Sequence, residues 1–145
     1  MPSDTSSQRW STDCAQVTEI TLERTFSVCT DCPAYKVILS KQTRDSDKTV
    51  AIALTDLKKN HTRYGTLNES TFEQLCRLID NERYFELSDT YGEGVMDSVE
   101  VTSSVLKNGV RKTIVNRAEK GPIELWGIEM AIEGAVATAN LQRPQ

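Results

Sequence analysis

Two cysteines three residues apart, Cys29 and Cys32, enclose Asp31 and run directly into Pro33. No other stretch of the chain is better equipped for chemistry, and three chemistries use such a pair. A redox dithiol needs thiolate character, which a CxxC pair gains from a helix N-terminus; here Pro33 and a β-patterned segment follow instead. A zinc site needs four ligands, so the pair would have to recruit Cys14, Cys76 or His61, with no second CxxC and no histidine pair to draw on. The third chemistry is structural: a disulfide, or two idle thiols. Pro33 fixes its own φ and pushes Cys32 towards extended backbone. The loop then feeds straight into a strand, and a local structural pair without metal or other cofactor is the expectation. In the chain-entropy estimate, closing so short a loop contributes about 2 kcal/mol, against about 4 kcal/mol for a Cys14–Cys76 bridge.

A second group is acidic. Asp89, Glu93, Asp97 and Glu100 interleave with Tyr91, Gly92 and Gly94. Carboxylates among glycines can bind calcium, but the spacing departs from the EF-hand loop, and a solvated acidic loop is expected. His61 is the single histidine and follows Lys58-Lys59-Asn60, which places it on the surface of a turn. There is no G-x-S-x-G elbow, no H-E-x-x-H and no phosphate-binding glycine loop. The candidate binding residues are therefore Cys29, Asp31, Cys32, Asp89, Tyr91, Glu93 and Asp97. Cys29, Cys32, Cys14 and Cys76 are the disulfide candidates.

The elements that must position these residues are read from periodicity. Residues 17–25 alternate, with Ile20 and Leu22 on one face, and predict a first strand. Tyr35, Val37 and Leu39 predict a second, and Val50, Ile52 and Leu54 a third, joined by a polar turn at 43–48. Residues 61–67 form a weaker fourth strand. A helix follows, with Asn68 as cap and Leu67 and Phe72 as staple, or with Ser70 and Glu73 as capping box. Its buried stripe is Phe72, Leu75, Cys76 and Ile79. Tyr84, Phe85 and Leu87 are expected to tuck the helix exit onto the sheet. Strands at 99–105 and 110–116 flank Asn108-Gly109, a pair suited to a tight hairpin turn. Gly121-Pro122 opens a last helix, with Leu125, Ile128, Ile132, Val136 and Ala139 on its buried side and Glu124, Glu129 and Glu133 on its wet side. The order β-β-β-β-α-β-β-α predicts an α+β domain: a mainly antiparallel sheet of about six strands with two amphipathic helices on one face. The domain spans 17–141, preceded by a disordered or loosely attached tail, 1–16, from which Trp10 is expected to dock, and followed by a polar tail, 142–145.

Length and composition narrow the function classes. A chain of 145 residues makes one domain. With 21 acidic and 17 basic side chains, net −4, and no basic stripe, nucleic-acid binding is disfavoured. No apolar run reaches the length of a membrane span. The polar opening lacks the core of a signal peptide and reads either as a cytoplasmic start or as the tether left after an export signal.

The motifs, in order, resemble a bacterial domain family of unknown function, DUF6438. They are Ile20-x-Leu22-x-Arg24, the cysteine loop ending in Cys32-Pro33, and Tyr35-x-Val37. Phe85-x-Leu87-x-Asp89-x-Tyr91, Asp97, Asn108-Gly109 and Pro122-x-Glu124-Leu125-Trp126 follow. The family's first cysteine stands at the position of Val28, one before Cys29. The resemblance spans roughly 20–141. It implies an extracytoplasmic, often lipid-anchored protein and supplies no catalytic residue. The expectation is a non-enzymatic binding domain of the cell envelope with a protein partner, a basic one being suited to the acidic balance of the chain. In its narrower form it is an inhibitor or immunity protein for a secreted toxin. The rival is a thiol redox or metal-dependent protein working through Cys29 and Cys32.

Overall fold

A computed structural model of the chain describes residues 10, 14–27, 29–44 and 47–142. Among them an eight-stranded sheet is covered on one face by two helices. The strands are β1 (Val17–Phe26), β2 (Tyr35–Arg44), β3 (Asp47–Asp56), β4 (His61–Leu67), β5 (Thr90–Tyr91), β6 (Val99–Lys107), β7 (Val110–Arg117) and β8 (Asn140–Leu141). The helices are α1 (Glu69–Asn81) and α2 (Ile123–Ala137). The sheet order is β5-β7-β6-β1-β2-β3-β4-β8, antiparallel except for the β5–β7 pair. The α+β class is as expected. The strand count is eight rather than six, because two-residue strands extend both edges.

Register explains which side faces the helices. Ile20 lies opposite Leu39 and Val105, and Leu22 opposite Val37 and Ser103. Leu39 and Val37 lie opposite Ile52 and Leu54. Side chains two apart share a face, so these positions form one apolar layer, on which the α1 stripe of Phe72, Leu75, Cys76 and Ile79 packs. Asn68 caps α1, its Oδ1 accepting from the Ser70 N–H at 2.8 Å. Asn108 and Gly109 take φ 55° and 79°, the left-handed geometry of a two-residue hairpin. Gly65 lets β8 approach: a Cβ there would lie 2.0 Å from the Asn140 carbonyl oxygen.

Helix α2 departs from its expected face. Leu125, Ile128 and Ile132 are buried, but so is Glu129, at 1% exposure. Glu129 is not on the wet side because it follows Leu125 by four and precedes Ile132 by three, which places it inside the buried stripe. Phe85 is more exposed than expected, at 36%, while Tyr84 is fully buried with its hydroxyl bonded to Ser103 Oγ at 2.7 Å.

Of residues 1–16, Trp10 and 14–16 are described; the rest of that span, and 143–145, lie outside the described residues. Cys14 is buried and joined to Cys76 by a disulfide, Cα–Cα 5.3 Å. Trp10 meets Phe72 edge-on at 5.6 Å, and the Lys41 ammonium sits 4.5 Å from the Trp10 ring while donating to the Cys14 carbonyl. Burial pulls Lys41 down to about 8, partly offset by Glu73. Among the described residues no helix is long and apolar enough to cross a membrane.

Candidate functional site

The inward-facing rows of the sheet change character towards the end where β1 stops and β2 begins. Two rows in, the inward positions are Val105, Ile20, Leu39 and Ile52. The inward row where β2 begins and β3 ends reads Asn116, Val101, Arg24, Tyr35, Asp56 and His61 across β7, β6, β1, β2, β3 and β4. Polar side chains thus stand on the helix-covered face, at the margin of the core. Helix α2 crosses this margin. Glu129 reaches Asn116 on β7, and Glu133 reaches Arg24 on β1 and Tyr35 on β2.

Beyond α2 the margin opens into a cavity of about 700 Å³. Pro33, Ala34, Tyr35, Leu54 and Val136 supply its apolar surface, and Asp56, Lys59, His61, Arg63 and Glu133 its polar groups. Its walls are stitched together. Leu57 N–H donates to the Ala34 carbonyl at 2.9 Å, and Lys58 Nζ to the Thr30 carbonyl, so the β3–β4 turn holds the cysteine loop. Cys29 and Cys32 are themselves joined by a disulfide, Cα–Cα 5.4 Å. β2 rather than a helix follows them, so no helix N-terminus stabilises a thiolate.

Both carboxylates of the cavity are engaged. Glu133 Oε2 accepts from Arg24 Nε at 2.7 Å and from the Tyr35 hydroxyl. Asp56 Oδ1 accepts from the N–H groups of Lys58 and Lys59 at 3.0 and 3.1 Å. Arg63 Nε donates to the Gln142 carbonyl at 2.9 Å. Deeper in, burial pushes the Glu129 carboxyl above the usual range, and Glu119 adds to the rise. A hydrogen bond from Asn116 and the charge of Arg24 act the other way.

The residues singled out from the sequence fall in two groups. Cys29, Asp31 and Cys32 form the loop that ends in the cavity wall at Pro33, with Asp31 exposed and the cysteines half-buried. Tyr91, Glu93 and Asp97 belong to the far edge of the sheet, around β5. Tyr91 is half-buried and its hydroxyl accepts from the Ser88 N–H at 3.0 Å; Glu93 and Asp97 are exposed. Among the described residues the two loops are joined by a hydrogen bond from Ser27 Oγ to the Ser98 carbonyl at 3.3 Å. Asp89 pairs with Lys112 at 2.6 Å and Glu100 with Arg117 at 2.9 Å. Among the described residues no group of three or more His, Cys, Asp or Glu side chains is placed to hold a metal ion.

Arg24, Tyr35, Asp56, Lys59, Arg63 and Glu133 were not read as site residues from the sequence, and His61 was read as a surface residue. It is exposed, but it lines the cavity. The missed signal is the inward period itself. Ile20 and Leu22 point in, so Arg24 does too; Ile52 and Leu54 point in, so Asp56 does too.

No curated protein and no solved structure matches the chain. The family model for DUF6438, a domain of unknown function, matches residues 18–136. The ordered motifs and the matched span agree, and the chain belongs to the DUF6438 family.

Proposed function

We propose that this is a non-enzymatic binding domain of an oxidising, extracytoplasmic compartment, which takes its ligand at the sheet end built by the Cys29–Cys32 loop, the β3–β4 turn and α2. The observation that carries the reading is the cavity of about 700 Å³ with an apolar surface and a few polar groups, the size and make-up of small-ligand sites. Two disulfides among four cysteines suit a compartment where thiols are oxidised. Binding is favoured over catalysis because among the described residues no hydroxyl, thiol or carboxylate is hydrogen-bonded to His61, and the one hydroxyl–carboxylate pair of the cavity, Tyr35 with Glu133, has its carboxylate neutralised by Arg24.

The narrower reading, an inhibitor that covers a basic toxin site with its acidic loop, draws less support. Asp89 and Glu100 are already paired within the chain, which leaves Glu93 and Asp97. The thiol redox alternative would require Cys29–Cys32 to cycle without a helix dipole.

A thermal-shift screen of small molecules tests the binding reading, because a ligand at a hundred times its Kd stabilises the folded state by about 2.7 kcal/mol. Hits are expected on the native chain and should be lost when the indole of Val136→Trp intrudes on the apolar wall of the cavity. A silent screen, or hits that persist in Val136→Trp, would refute it.

A further inference from the structure

We propose that the cavity takes a small amphipathic carboxylate, its apolar tail against Leu54, Val136 and Pro33 and its head group at Lys59, His61 and Arg63. This deepens the binding reading above and rests on it.

The cavity contains two acids and three basic side chains. Glu133 is neutralised by Arg24 and hydrogen-bonded by Tyr35. Asp56 is turned to its own backbone, accepting from two successive N–H groups. A cationic ligand would therefore meet one carboxylate already neutralised and one, Asp56, whose Oδ1 is held by backbone N–H groups, leaving a single acidic charge against Lys59 and Arg63. On the basic side the position is reversed. Among the described residues no acidic side chain forms an ion pair with Lys59, His61 or Arg63, and Arg63 uses only Nε, leaving its terminal nitrogens for a ligand. His61 and Arg63 are two apart on β4 and share its inward face. Lys59 enters from the turn just before them. The three line one side of the cavity, and a planar guanidinium matches a carboxylate in two hydrogen bonds.

The apolar part of the ligand follows from the rest of the lining. Leu54 and Val136 are half-buried members of the core margin, Pro33 follows Cys32 at the end of the cysteine loop, and Tyr35 also lines the cavity with its hydroxyl already bonded. A free inorganic anion would leave this surface wet. A neutral apolar molecule would leave the basic groups without a partner.

Octanoate, 1-octanol and octylamine carry one tail with three heads, and acetate carries the head alone. Titrated into the full chain by nuclear magnetic resonance, octanoate should bind tightest and octylamine weakest, and acetate should not saturate. Lys59 and His61 are exposed and Arg63 is half-buried at the cavity mouth, so each is worth a factor of about three, and Lys59→Gln with Arg63→Gln about tenfold together. That double variant should weaken octanoate and leave octanol unchanged, while Val136→Trp abolishes both. Octanol or octylamine matching octanoate, or octanoate indifferent to the double variant, overturns the proposal. If those competitors bind and Val136→Trp removes them, the cavity still binds ligands and only the carboxylate preference fails. If no compound saturates and the broader screen is silent too, both readings fail.

Discussion

Glu129→Ala should be among the more damaging single substitutions in this domain, although its sequence surroundings suggest a solvated glutamate. Glu129 is 1% exposed, and its Oε2 accepts from Asn116 Nδ2 at 3.0 Å. Asn116 in turn accepts from the Gly121 N–H at 2.9 Å, so one side chain ties β7, the loop after it and α2 together. Truncation leaves Asn116 Nδ2 buried without a partner, a cost of about 1–3 kcal/mol. It also removes one buried methylene, at about 0.8 kcal/mol. Relief of the carboxylate's own desolvation offsets part of this, and the net loss is about 1–3 kcal/mol. Glu129→Gln keeps volume and acceptor while removing the charge, and should lie within about 1 kcal/mol of the native chain. The two variants separate by pH. Because burial raises the folded-state pKa of Glu129, the folded state holds the proton more tightly than the unfolded chain, where Glu titrates near about 4.3. Native stability should then fall as pH rises from the unfolded pKa through the folded one. The advantage of Glu129→Gln should grow over the same window and level off above it. Urea denaturation at several pH values between 4 and 8 measures this. A Glu129→Ala loss below about 0.5 kcal/mol, or an advantage of Gln that shrinks as pH rises, would refute the burial argument.

The disulfides differ in what they close. Cys14→Ser with Cys76→Ser releases a sequence separation of 62 residues and should lose about 4 kcal/mol, whereas Cys29→Ser with Cys32→Ser releases a separation of 3 and should lose no more than about 2 kcal/mol and stay folded; equal losses in urea denaturation would contradict the loop-length reasoning. Elemental analysis of the purified chain should find no stoichiometric metal, and one zinc per chain lost together with folding in the Cys29/Cys32 variant would move the function to a metal site. Ile132→Ala, at a fully buried α2 position, should cost about 2–5 kcal/mol by thermal or urea denaturation, and a loss under about 1 kcal/mol would mean the helix face is misassigned.

The strands that alternate cleanly were legible because burial on one side imposes a period of two. Ile20, Leu22, Val37, Leu39, Val50 and Ile52 all fall on the face their spacing predicts. Strands β5 and β8 were not legible, since two residues carry no period. The β5 pairing is parallel and β8 depends on Gly65 leaving room, and both are decided by tertiary approach. Glu129 was misread for a different reason. In α2, apolar residues occupy most positions around the helix, so charge was taken as the marker of the wet side. The spacing 125, 128, 132 marks the stripe, position 129 falls inside it, and the polar partner on β7 that makes a buried glutamate tolerable lies 13 residues away.

The cavity follows from the same periodicity carried one step too far for an apolar core. The strands continue past the apolar rows, and the next inward positions are Arg24, Tyr35, Asp56 and His61. An inward polar side chain is costly where a helix covers it and cheap where water reaches it. Where α2 lies over the row, the polar groups are paired: Asn116 with Glu129, Arg24 and Tyr35 with Glu133. Past α2, nothing in the described chain pairs with the basic side chains of Lys59, His61 and Arg63 in an ion pair. The Cys29–Cys32 disulfide and the Leu57–Ala34 hydrogen bond hold the adjoining wall in place at that point, in a loop too short for its bridge to contribute much stability. A cross-link whose stabilisation is small and whose position is the rim of an open cavity acts chiefly on shape, and restricting the rim before a ligand arrives lowers the ordering cost of binding.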